Sequence, residues 1–219
     1  ILGLRGLSVL AVIVFHAKQG YASGGFSGVD IFFTLSGFLI AQSIQANVNK
    51  DGFTILSFLE RRFLRILPAS LTVLALVGVI STYFLFPEER IELFEGIHSF
   101  LYLQSNIWAP KAISYFGIGI DYKPIIHYWT LSIELQYYIL FGIILSILLR
   151  TNIDSLALII SILIFISSLS YALLNIKEDP NLGYFSSLMR VWEFTLGVIL
   201  SLSLIRLRIN EINPRVRNL

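Results

Sequence analysis

The sequence predicts an all-α protein, a polytopic bundle of about six membrane-spanning helices with one further amphipathic or re-entrant segment. Three observations lead there. The chain is 56% hydrophobic and 14% charged, with a mean hydropathy of +0.77, and a soluble protein of 219 residues has too little interior to hide so much apolar surface. Its apolar runs are long enough to cross a hydrocarbon layer of about 30 Å at 1.5 Å per helical residue. Seventeen Phe, ten Tyr and three Trp suit lipid-facing and interfacial positions.

The runs follow in order. The first covers residues 4–17 and the second 29–45, short and interrupted at Gly37. The third, 67–86, places Pro68 in its first turn, where a missing N–H costs nothing. Residues 91–108 carry Glu92, Glu95, His98, Gln104 and Asn106 and read as interfacial, re-entrant or a polar span. Residues 126–149, 156–175 and 184–205 complete the set.

Charge orients them. Lys50, Arg61, Arg62 and Arg65 crowd the connection between the second and third runs, which the positive-inside rule makes cytoplasmic. The N-terminus is then inside, residues 20–28 are outside, and Glu88, Glu89, Glu92 and Glu95 follow the third run on the outer side. If 91–108 does not cross, Arg150, Arg206, Arg208, Arg215 and Arg217 all fall inside; if it crosses, all five fall outside. The non-crossing arrangement is preferred.

The first run holds two ionisable groups, Arg5 and His16, eleven residues apart. Eleven steps of 100° come to about 20° past three full turns, so both lie on one helical face, about 16 Å apart along the axis. Ser8, Val9 and Val12 complete the stripe. Ionisable groups are costly in hydrocarbon, and a span that keeps two points to a pathway or a reaction. Arg5 also reads as a snorkelling topology determinant, while the His16 imidazole can take or give a proton near neutral pH.

Further groups recur along the chain. Arg62 and Arg65, three apart, share a helical face; forked guanidiniums suit phosphates, and a basic cluster also suits anionic lipid. His127, Thr130, Glu134 and Tyr138 form a stripe after Pro124, with Trp129, Ser132 and Gln136 on a second edge. A carboxylate two turns from an imidazole can orient it, take its proton or hold a hydroxyl. Arg190 and Glu193 can pair across one turn. Between Gly24 and Phe38, small residues including Ser36 and Gly37 permit close helix approach, and Asp30 reads as a cap or as lining the outer mouth.

Some chemistry is excluded. The chain has no cysteine, hence no disulfide, thiol nucleophile or Cys-ligated metal. Histidines at 16, 98 and 127 lack ligand spacing, so no metal site is expected. No nucleic-acid partner is expected, and no signal peptide is recognisable. The abrupt start and basic tail read as part of a longer polypeptide.

Taken together, these strings resemble the acyltransferase family 3 membrane domain, which O-acylates bacterial cell-surface carbohydrates. The likeness runs in order through Gly3-Leu4-Arg5 to Phe15-His16, Gly25 to Phe33, Ser36 to Ile40, and Arg62-Phe63-Leu64-Arg65-Ile66-Leu67-Pro68. It continues through Ser105-Asn106, His127-Tyr128-Trp129 to Glu134 and Gln136, and Arg190-Val191-Trp192-Glu193 to Gly197. The resemblance implies an essential role for Arg5 and His16 and links Arg62 and Arg65 to the acyl donor. It implies acyl-CoA, chiefly acetyl-CoA, as a cytoplasmic co-substrate with no bound cofactor. The acceptor it implies is a carbohydrate or glycolipid hydroxyl at the outer face of the bacterial cytoplasmic (inner) membrane. A complete domain of this kind has about ten spans, so residues 1–219 are expected to be its N-terminal part. Three positions depart from the family pattern: Leu2 stands where an acidic residue is common, Thr130 replaces a usual Ser, and Leu135 removes one carboxylate of a usual pair.

The expected chemistry is acyl transfer from a thioester to a sugar hydroxyl. Arg5, Arg62 and Arg65 would hold donor phosphates, and His16 would act as general base or transient acyl carrier. Glu134 with His127 would position the acceptor or orient a base, and Arg190 would stabilise developing negative charge. Trp129, Gln136, Glu193, Asp30 and Ser36 fill acceptor-binding or structural positions. The rival readings are a proton-coupled transporter or flippase using Arg5, His16 and Glu134, and an inactive sensor or scaffold on the same fold.

Overall fold

The computed structural model describes residues 1–17, 23–112, 123–151, 154–178 and 180–212, and all regular structure among them is helical. The elements are α1 (Leu2–Ala17), a 3-10 turn (Gly25–Ser27), α2 (Gly28–Gln45), α3 (Ile55–Phe84), α4 (Pro87–Leu101), α5 (Ser105–Ala112), α6 (Tyr128–Arg150), α7 (Asp154–Asn175), α8 (Pro180–Phe185) and α9 (Ser187–Ile212). The expected residues 20–22 of the outer loop, Arg215, Arg217 and the side chains of Arg206 and Arg208 lie outside the described residues.

Among the described residues, five helical stretches are long and apolar enough to span a membrane: Gly25–Gln45, Ile55–Phe84, Tyr128–Arg150, Ser155–Asn175 and Ser187–Leu204. The remaining expected span, α1, is a helix of 16 residues, about 24 Å long. Large apolar side chains stand exposed along α3 (Leu76, Val79, Ile80) and α7 (Ile159, Leu163, Ile166), as hydrocarbon-facing helices require.

Three boundaries differ from the sequence reading. The third span does not open at Pro68: α3 begins thirteen residues earlier, at Ile55, and carries Pro68 in its interior, so Arg61, Arg62 and Arg65 are helical rather than in a loop. Good helix formers precede the proline, and the Ser70 and Thr72 hydroxyls donate to the Ile66 and Pro68 carbonyls around the missing N–H. Residues 91–108 form two helices rather than one. Pro87 starts α4, the Glu89 carboxylate accepts from the Phe86 N–H at 2.9 Å, and the helix ends at Leu101 in a turn whose Leu103 is left-handed at φ 57°. The Leu103 and Gln104 N–H groups donate to the Phe100 and Ser99 carbonyls, a Schellman closure with leucine where glycine is usual. The last run is likewise two helices, α8 and α9, separated at Ser186.

The chain forms two compact units. The first comprises Ile1–Thr54, Phe141–Ser170 and the chain from Arg190 onward. Its core includes Phe33, Ile40, Ala41, Ile44, Phe141, Phe194 and Val198, with the Phe141 and Phe194 rings 5.0 Å apart. Glycines set its helix spacing. A methyl group on Gly28 would strike the Ser8 carbonyl, and one on Gly25 the Ala11 carbonyl, so α2 lies antiparallel against α1. A methyl on Gly37 would strike the Phe194 backbone, and one on Gly197 the Thr34 carbonyl, so α2 and α9 touch backbone to backbone.

The second unit comprises Ile55–Leu140 and Tyr171–Met189. Phe58, Phe100, Ile125, Trp129, Ile133 and Phe185 are fully buried there. Trp129 meets Tyr184 and Phe185 edge-on, each at 5.1 Å between centroids, and the Tyr128 hydroxyl donates to the Ser70 carbonyl at 3.0 Å.

Candidate functional site

In the first unit, α1 turns Arg5 and His16 toward protein. Both are half-buried and Ser8 is buried, while Leu4, Leu7, Leu10 and Ile13 on the other faces are exposed. Val9, expected on the stripe, is 44% exposed and faces away; Val12 keeps its place against Gly28. The Arg5 guanidinium carbon lies 4.4 Å above the Phe32 ring of α2, and the Ser8 hydroxyl donates to the Arg5 carbonyl at 2.7 Å. His16 packs edge-on against Phe15 at 5.0 Å.

The same unit holds a buried ion group. Arg190, in the first turn of α9, donates through Nη1 to Asp30 Oδ1 at 2.7 Å and to Glu193 Oε1 at 2.8 Å. The side chains of Arg190 and Glu193 are 8% and 3% exposed and that of Asp30 is 35% exposed. Glu193 Oε2 is buried without a hydrogen-bond partner. The expected Arg190–Glu193 pair is therefore real, and Asp30, expected as a cap or mouth residue, is its third member. Ser36 is buried and donates to the Phe32 carbonyl of its own helix at 2.8 Å.

In the second unit, Arg62 and Arg65 differ. Arg62 is half-buried, its guanidinium carbon 5.4 Å from the Phe58 ring and 5.8 Å from the Tyr138 ring, whereas Arg65 is exposed. The Tyr138 hydroxyl in turn donates to the carboxylate of Glu134, which is 1% exposed. Arg62, Tyr138 and Glu134 thus form one cluster. His127 immediately precedes α6, is exposed, and its carbonyl accepts from the Thr130 hydroxyl at 2.8 Å. Exposed His127 and buried Glu134 occupy different environments, separated by two turns, about 10 Å, of rise. Trp129 is a packing residue, buried against Tyr184 and Phe185.

Gln136 belongs to a closed hydrogen-bond ring. Its Nε2 donates to Asn106 Oδ1 at 2.9 Å, Asn106 Nδ2 donates to Ser187 Oγ at 2.9 Å, and Ser187 Oγ donates to Gln136 Oε1 at 2.7 Å. The second Gln136 hydrogen goes to the Leu103 carbonyl at 2.6 Å, and the Tyr137 hydroxyl donates to the Ser187 carbonyl at 2.6 Å. The ring ties α5, α6 and α9 to the strained turn at Leu103. Sequence reasoning singled out Gln136 and Asn106 separately; their closure through Ser187 was beyond it. Among the described residues no group of three His, Asp or Glu side chains is arranged to hold a metal ion.

These residues coincide with a known family. The acyltransferase family 3 model, described as an acyltransferase domain, matches residues 1–216. A protein of Komagataeibacter xylinus, provisionally named membrane-bound transacylase BcsY, is 35% identical over 199 residues, covering 90% of this chain and 49% of that protein. A provisionally named O-acetyltransferase of Staphylococcus aureus (strain COL) is 36% identical over 205 residues, covering 91% of this chain and 33% of its own. Peptidoglycan O-acetyltransferase OatA of Listeria monocytogenes is 33% identical over 220 residues, covering 97% of this chain and 35% of its own. The chain thus spans about a third to a half of these relatives. No solved structure matches. With its Arg5–His16 stripe, Arg62 and Arg65, Glu134 and Arg190 all inside the matched residues, the chain belongs to acyltransferase family 3.

Proposed function

We propose that the protein is a membrane O-acyltransferase that moves an acyl group, chiefly acetyl, from acyl-CoA at the cytoplasmic side to a hydroxyl of an exported or cell-surface carbohydrate. The observation that carries this reading is the Arg5–His16 stripe: two ionisable groups in an apolar helix, both turned toward protein, in a chain of this family. Named relatives include a peptidoglycan O-acetyltransferase, which supports a carbohydrate acceptor.

The proposed reaction balances as thioester plus alcohol giving ester plus thiol. The His16 imidazole takes the proton of the acceptor hydroxyl, the oxygen attacks the thioester carbonyl, the carbon–sulfur bond breaks, and the thiolate takes up the proton. Carriage of the acyl group on His16 splits the same sum into two steps. Arg62, half-buried with its guanidinium held near aromatic rings, and Arg65, exposed at the same basic end of α3, bind donor phosphates, as does Arg5. Glu134, oriented by Tyr138, serves acceptor positioning or proton handling. Family membership favours this over the transporter reading, in which acyl-CoA is not consumed.

Mass spectrometry of surface glycans from deletion cells tests the reading. One acyl mass should disappear from a glycan, return with the wild-type gene and stay absent with His16→Ala. Unchanged glycans in the deletion would overturn it.

A further inference from the structure

Beside the Gln136–Asn106–Ser187 ring, wholly within the second unit, lies an open groove of about 510 Å³, lined by Asn106, Ile107, Pro110, Lys111, Ser186 and Ser187 together with Leu188. A groove of this size falls within the roughly 300–1,000 Å³ of small-molecule sites. Its walls combine apolar surface from Ile107, Pro110 and Leu188 with an amide, two hydroxyls and one ammonium, and among the described residues no carboxylate lines it. The ring presets the polar side. Gln136 spends both amide hydrogens on Asn106 and Leu103, Asn106 spends one on Ser187, and the other Asn106 N–H is left on a residue that lines the groove. The Asn106 amide cannot rotate without breaking two bonds of the ring, so this donor is held in one orientation. The Ser186 hydroxyl adds a second group at a half-buried position.

We infer that this groove is a binding subsite for a neutral saccharide acceptor, the Asn106 N–H and the Ser186 hydroxyl engaging sugar hydroxyls or an N-acetyl carbonyl while ring carbons lie on Pro110 and Ile107. Apolar walls with a few fixed hydrogen-bonding groups match a sugar ring, which offers C–H faces and a rim of hydroxyls. The groove sits where α5 and the start of α9 meet. The inference rests on the proposed carbohydrate acceptor and adds where that acceptor is held.

Chitotetraose binding to the protein in nanodiscs tests it, alongside the KM for acceptor and for acetyl-CoA. Ser186→Trp fills the groove from a position outside the ring, and Asn106→Ala removes the oriented donor. Each is expected to weaken chitotetraose binding and raise the acceptor KM by about tenfold, the effect of a lost hydrogen bond or a blocked contact, with the acetyl-CoA KM unchanged. Failure of the wild-type protein to bind chitotetraose, or binding indifferent to Ser186→Trp in a protein with unchanged melting temperature, overturns the groove. A protein that consumes acetyl-CoA with saccharide yet ignores both variants leaves the acyl-transfer reading standing and removes only the subsite. Groove-dependent binding without any acetyl-CoA consumption does the reverse.

Discussion

Arg190 bonds two carboxylates on different helices with one nitrogen, at 2.7 and 2.8 Å. Removing the guanidinium leaves Glu193 buried without its cation, which costs about 3–5 kcal/mol for groups of this kind. Arg190→Ala should therefore lower the melting temperature in detergent sharply, and Asp30→Asn, at a carboxylate that is itself 35% exposed, should lower it less. Equal losses would contradict the geometry. The two arginines of α3 are separable in the same way. Arg62 is half-buried over two rings and Arg65 is exposed, so Arg62→Lys should raise the acetyl-CoA KM by about tenfold and Arg65→Lys by no more than about threefold, because only the first loses stacking as well as the fork. Steady-state kinetics on the two variants check this. The chemistry-bearing residues were legible singly, since an ionisable or amide group in an apolar run stands out. Pairs within one helix, such as Arg190 with Glu193, were legible too, but partners on other helices were not. Asp30 and Arg190 are 160 positions apart and Asn106 and Ser187 81, and no local period reports such distances.

At the scale of elements, the glycines decide how α2 is held. Its Gly28 lies on the Ser8 carbonyl of α1 and its Gly37 on the Phe194 backbone of α9, so α2 fixes the placement of the Arg5–His16 stripe from one side while bonding Arg190 from the other. Gly37→Ala forces backbone apart in a packed crossing, and overpacking of this kind costs about 1–3 kcal/mol. Gly3→Ala, where a methyl meets nothing, should leave stability unchanged or raised. Thermal unfolding of the pair discriminates packing from a general intolerance of α1 and α2 to substitution. The interior Pro68 makes the opposite prediction. It is exposed, and Pro68→Ala restores an N–H to the Leu64 carbonyl, so the melting temperature should rise. The helices themselves were legible from apolar runs, but their ends were not. A hydrophobic run marks where lipid begins rather than where a helix begins, which is why α3 starts before its apolar stretch. The Leu103 turn was hidden because leucine seldom adopts the left-handed conformation that ends α4.

At the scale of the molecule, helices suited to a membrane carry a few ionisable groups turned inward, in a chain of acyltransferase family 3. Composition and run length made the fold class readable at once, because nothing else accounts for so much apolar sequence. The reaction was readable only through the ordered family strings, since an arginine–histidine stripe alone serves a proton pathway equally well. The most direct test is release of CoA thiol from acetyl-CoA by the protein in nanodiscs, with and without a carbohydrate acceptor, for the wild type and His16→Ala. Thiol release should depend on the acceptor and fall by about 10²–10⁴-fold in His16→Ala, the range for a lost general base. Acceptor-dependent release that is undiminished in His16→Ala, or no consumption of acetyl-CoA by the wild type, would contradict it.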